Sequence, residues 1–118
     1  MRYRTVGDYW KDADGTIHIK VAESGDPRYA EAVAIHELFE LLLCQNKGVT
    51  LESIDSFDEE FETHPENIDK EPGDEPNAPY RDEHNLATAV ERMYIASLEL
   101  SWKEYDDAQS KIIEQYGK

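Results

Sequence analysis

The stretch AVAIHELFELLLC, residues 32–44, is the most apolar in the chain, yet it carries His36, Glu37 and Glu40 at its centre. Burying an imidazole and two carboxylates is costly unless each finds a partner. On its N-terminal side, Asp26 is a good N-cap and Pro27 suits a first helical position. On its C-terminal side, Gly48 is a stop signal, so the spacing predicts one helix running to about Lys47. At about 100° per residue, one face of that helix holds Tyr29, Ala32, Val33, His36, Phe39, Glu40 and Leu43. The other side holds Ala34, Leu38, Leu41 and Leu42. A helix apolar nearly all round belongs at the centre of a domain.

Upstream, residues 2–22 read as a β-hairpin. YRTVGDYW and TIHIKVA are rich in β-branched and aromatic residues, and DADG between them is a turn signal. Downstream, residues 49–64 are acidic and read as a short helix, with Ser56 and Glu59 as a capping box. The segment PENIDKEPGDEPNAP, 65–79, holds four prolines and one glycine and reads as a flexible acidic loop. A second long helix is expected from about Tyr80 to Leu100. Ser101 and Glu104 then cap a last helix over 102–116, stopped at Gly117. The fold class is therefore α+β: one domain with a small N-terminal antiparallel hairpin or sheet packed on about three helices.

The 118 residues include 27 acidic and 12 basic ones, a formal net charge of −15. Such a field repels a nucleic-acid duplex and an anionic membrane surface. One cysteine, Cys44, allows no intrachain disulfide and fits a reducing, cytoplasmic setting. MRYRTVGDYW has no apolar h-region, so no signal peptide is expected, and no run approaches a membrane span.

His36 and Glu40 are four residues apart, so they share a helical face one turn apart and can grip one metal ion. Glu37, rotated away from that axis, can reach a water bound to the ion. This is the mechanical logic of H-E-x-x-H metalloproteases, here with a carboxylate in place of the second imidazole. The run TIHIKVA…YAEAVAIHELFELLLC resembles the core of the zincin-like metallopeptidases, in which a strand precedes a buried helix opening on A-x-H-E-L. The likeness covers about residues 16–47 with a further match at 80–98, and is closest to minimal zincin-like proteins, many of them phage-borne. The chain departs from the family at Glu40, and it has no downstream N-E-x-x-S-D or H-x-x-G-x-x-H pattern.

The resemblance implies a third ligand from a second helix, and His84 is the candidate. His36, Glu40 and His84 then form a two-histidine, one-carboxylate zinc site. Glu37 becomes the general base for hydrolysis of a peptide bond in a protein or peptide substrate. Glu91, two turns from His84, either orients a ligand or replaces His84. Tyr80 and Tyr94 are candidates for stabilising an oxyanion. His18 and His64 read as surface residues, Cys44 as a small core residue, and Trp10 and Trp102 as packing. Two other readings compete with a zinc hydrolase. One is a non-catalytic metal- or protein-binding module on the same scaffold, and the other an acidic decoy that imitates DNA.

Overall fold

The computed structural model describes residues 6–67 and 70–116. The expected hairpin residues 2–5, loop positions 68 and 69, and the stop at Gly117 lie outside the described residues. Strands β1 (Gly7–Lys11) and β2 (Ile17–Val21) pair antiparallel with Tyr9 opposite Ile19 and Trp10 opposite His18. The turn between them closes through Gly15 N–H to the Asp12 carbonyl at 2.9 Å and through the Asp14 carboxylate, which accepts from Thr16 N–H at 3.0 Å. Gly15 takes φ +88°, a conformation in which a Cβ is strained. The fold is α+β, as expected, with an N-terminal two-stranded sheet and four helices.

Helix α1 spans Pro27–Lys47. Its start is fixed by the Asp26 carboxylate, which accepts from Arg28 N–H at 2.9 Å. Its end is fixed by Gly48 at φ 78°, after which Val49 N–H donates to the Cys44 carbonyl at 2.9 Å. The helix is less central than its composition suggests. It packs along α3 and against both strands, but Leu38 and Leu42 are each 42% exposed, because no element covers that side among the described residues.

Helix α2 spans Leu51–Glu62 and is capped by Thr50, whose hydroxyl accepts from Ser53 N–H at 3.1 Å. The expected capping box at Ser56 and Glu59 is instead mid-helix. The amphipathic pattern that buries Ile54, Asp58 and Phe61 extends a full turn before Ser56. Residues 65–79 contain two 3₁₀ turns, Pro65–Asn67 and Pro72–Asp74, and Pro72 and Gly73 are buried. Helix α3 spans Arg81–Ser97 and stops three residues before the expected Leu100. Glu99 takes φ 60°, and Leu100 N–H donates to the Ile95 carbonyl at 3.1 Å. A left-handed stop without glycine gives no sequence signal, and it costs about 1–2 kcal/mol. Helix α4 spans Trp102–Tyr116, with Ser101 Oγ accepting from Glu104 N–H at 3.2 Å, the cap the sequence predicts.

Two apolar clusters hold these elements together. One gathers Tyr9, Leu41, Cys44, Ile54, Ala78 and Tyr80; the other gathers Ala32, Val33, Ile95 and Tyr105. Along α1 the two clusters are separated by the residues 36–40, and along α3 by His84 to Glu91. The polar residues therefore occupy the seam between two hydrophobic cores. Among the described residues no helix is long and apolar enough to cross a membrane.

Candidate metal centre

The seam brings three donor atoms together. His36 Nε2 lies 3.4 Å from Glu40 Oε1 and 3.2 Å from His84 Nδ1, and His84 Nδ1 lies 2.9 Å from Glu40 Oε1. All three residues are held out of solvent, their side chains being 8%, 5% and 12% exposed. Tetrahedral coordination with bonds of about 2.0–2.2 Å separates neighbouring donors by about 3.3–3.6 Å. The trio is spaced at that scale, slightly compressed by its own hydrogen bonding. His36, Glu40 and His84 lie close enough to bind one metal ion.

Each imidazole is also held from behind. His36 Nδ1 donates to Glu91 Oε1 at 2.7 Å, which leaves Nε2 facing the centre. Tyr105 on α4 donates its hydroxyl to the other oxygen of Glu91. His84 Nε2 donates to Asp74 Oδ1 at 3.2 Å, leaving Nδ1 facing the centre. Carboxylates on the outer nitrogens of histidines are the usual support of a metal site, since they fix the ring and raise its basicity. Glu91 Oε1 meets the outer nitrogen of His36, on the far side of the ring from the three clustered donor atoms.

Glycine 73 adds a steric constraint. A Cβ there would fall 2.4 Å from His84 Nδ1, 2.5 Å from Cγ and 2.8 Å from Cε1. Those distances place it over the ring face, so the Pro72–Asp74 turn presses the imidazole flat. Gly7 does the same for Glu37: a Cβ on β1 would meet Glu37 Oε1 and Val33 Cγ1 at 2.6 Å each.

The electrostatics follow from burial and proximity. For Glu40 burial opposes ionisation, but the hydrogen bonds from His36 and His84 outweigh it and hold the carboxyl down at about 2. For His84 burial opposes the charge, but the bonds to Asp74 and Glu40 push it up to about 9. His36 is raised well above its ordinary value against the same desolvation, by Glu40 and Glu91. Glu37 is raised well above the carboxylate range by burial and then by the charge of Glu40, with His36 pulling the other way. Metal binding at such donors releases the protons they carry, so it depends on pH.

Glu37, His36 and His84 line one cleft of about 400 Å³, bounded by α1, α3, α4 and the segment 70–75. Of the tyrosines considered for the oxyanion, Tyr80 sets its ring edge-on to that of His84, with centroids 6.3 Å apart, and lines a small cavity with Glu37, Glu40 and His84. Tyr80 is buried, donating to Asp58 Oδ1 at 2.6 Å, and Tyr94 reaches Glu31 Oε1 at 3.4 Å. His18 stacks on Trp10 and meets Asp12 at 2.6 Å, and His64 pairs with Glu60 and Glu66. Asp74, Tyr105 and Gly73 were not legible as site residues. Asp74 sits in a proline-rich turn, and Tyr105 carries only the pattern of a core aromatic.

No family model, curated protein or solved structure matches the chain. The functional reading therefore stands on the geometry of the centre and on the motif.

Proposed function

We propose that this protein is a zinc-dependent hydrolase of peptide bonds built on a minimal zincin-like scaffold. His36, Glu40 and His84 are its metal ligands and Glu37 its general base. The observation that carries this reading is the convergence of three donor atoms from two helices at coordination spacing, with a fourth ionisable residue, Glu37, on the same cleft wall. Two neutral imidazoles and one carboxylate suit zinc, a borderline-soft ion that accepts nitrogen and oxygen donors in a small tetrahedral shell. When bound, zinc supplies Lewis acidity, polarising a carbonyl and lowering the pKa of water towards neutrality.

The chain's own residues do the remaining work. Glu37 accepts the proton of the attacking water as the oxygen–carbon bond forms. It then delivers that proton to the leaving nitrogen as the carbon–nitrogen bond breaks. Glu91 and Asp74 keep the two imidazoles turned to the centre, so no reorientation accompanies the reaction. The cleft between α1, α3 and α4 limits access of bulk water to Glu37.

Metal analysis of protein purified without chelator or affinity-tag metal, joined to cleavage of a broad peptide library, tests the reading. Glu37→Gln keeps size and zinc content but lowers turnover by about 10²–10⁴-fold, the range for a lost general base. Glu40→Gln instead weakens zinc binding itself, since a neutral amide is a poor ligand. Wild-type protein that holds zinc yet cleaves nothing, or Glu37→Gln as active as wild type, replaces the hydrolase with a non-catalytic metal-binding module.

A further inference from the structure

The α1–α3 pair is covered on one side only. His36 meets Glu91, Glu40 meets His84 and Glu31 meets Tyr94, so the two helices run antiparallel. At about 100° per residue, Leu38 and Leu42 lie about 160° around α1 from Glu40, and Leu86 and Met93 lie at least that far around α3 from His84. These four side chains point away from the metal centre and are 42%, 42%, 47% and 66% exposed. Ile35 and Phe39 extend the stripe on α1, and Val90 extends it on α3, each half-buried. Apolar residues at i, i+3, i+4 and i+7 form the face by which a helix packs on another element. Among the described residues no element packs on this one.

Single exposed leucines are ordinary, but this surface has the size and composition of an interface. At the exposures above it offers on the order of 500 Å² of apolar area, towards the upper end for a soluble monomer. A standard interface takes about 800 Å² from each partner, and homodimer interfaces are about 65% apolar. The face and its polar rim meet both figures. Neither stripe holds a charged residue, although charged residues make up 33% of the chain and its formal net charge is −15. Two copies of so acidic a chain repel each other over most of their surface. Here they meet without setting carboxylate against carboxylate.

We infer that this face binds a second copy of the chain. Helices α1 and α3 of one copy pack on those of the other about a two-fold axis, which makes a four-helix bundle. The two metal centres then face outward, each on the far side of its own helix pair, and both clefts stay open. The inference uses only the bare face and is independent of the hydrolase reading.

Sedimentation velocity of the full chain over a dilution series tests it. The expected mass is twice the 13.6 kDa of one chain, with half-dissociation at micromolar concentration or below. Added salt tightens the dimer, because it screens the repulsion between two chains of like charge. Leu38→Glu and Met93→Glu each raise Kd at least about a hundredfold, since a two-fold contact buries every new carboxylate twice. Both positions are exposed in the single chain, so helix content by circular dichroism stays that of wild type. If neither variant folds, wild type alone decides. Peroxide oxidation of Met93 to the sulfoxide, followed by peptide mass, is expected to slow at least about threefold from concentrations below Kd to concentrations above it. Wild type that keeps the mass of one chain up to about 0.2 mM overturns the inference and assigns the face to a different protein. A dimer that both variants leave intact, or Met93 oxidised at one rate throughout, overturns it too. So does assembly beyond two chains, or a dimer that salt loosens.

Discussion

Glu37 and Glu40 stand less than one turn apart on the same helix, and their surroundings push them in opposite directions. Glu40 faces two imidazoles that hold its charge, while Glu37 lies beside Val33 against the Gly7 backbone. The same contrast recurs at Asp58. Burial pushes its carboxyl up to about 7, against the bond from the Tyr80 hydroxyl and with the help of the charges on Glu40, Asp55 and Glu71. A raised carboxyl pKa means the folded state holds more protons than the unfolded one between about pH 4 and pH 7. Stability from this group therefore falls as pH rises through that window and stays reduced above it. Asp58→Asn keeps an acceptor for Tyr80 and removes the charge. Its melting temperature should match wild type near pH 4 and exceed it at pH 8, by on the order of 1–3 kcal/mol of stability. A difference between variant and wild type that does not change with pH would contradict this account.

At the scale of elements, the centre depends on a short turn as much as on two long helices. Helices α1 and α3 supply the three clustered donor residues, but the 3₁₀ turn Pro72–Asp74 sets the pose of His84 from both sides. Gly73 lies over the ring face and Asp74 holds Nε2. Arg81 on α3 returns the contact by donating from Nη1 to the Asp74 carbonyl at 3.0 Å. Gly73→Ala places a methyl where the imidazole is, and the ring must move. The expected outcome is a loss of about 1–3 kcal/mol in stability from overpacking. Zinc affinity should also fall at least tenfold, measured by competition with a chromophoric chelator. A variant with unchanged zinc affinity would mean that the turn is only packing.

At the scale of the whole molecule, two hydrophobic clusters meet along a polar seam, so the centre joins α1 to α3 where neither core reaches. A metal ion bound there ties the helices in the folded state only. Zinc at a hundredfold excess over Kd is worth about 2.7 kcal/mol, which in a domain of this size raises Tm by on the order of 10 °C. Chelator should reverse the rise, and His36→Ala should abolish it. Melts that do not change with zinc or chelator would point to a self-neutralised structural cluster.

The helix carrying the motif was legible to the residue, because Asp26, Pro27 and Gly48 act through local backbone chemistry that needs no distant partner. The hairpin turn and the Ser101 cap were legible for the same reason. The end of α3 was not, since Glu99 takes a left-handed conformation that its side chain does not favour. His36 and Glu40 declare themselves by spacing within one helix, and the likeness to zincins suggested His84. That His84 turns Nδ1 to the same point, with Asp74 behind it and Tyr105 behind Glu91, was decided only by the packing of α1, α3, α4 and the Pro72–Asp74 turn. Hydrogen bonds within one turn of helix follow from the order of residues, whereas contacts across 44 or 55 positions depend on how buried surfaces fit.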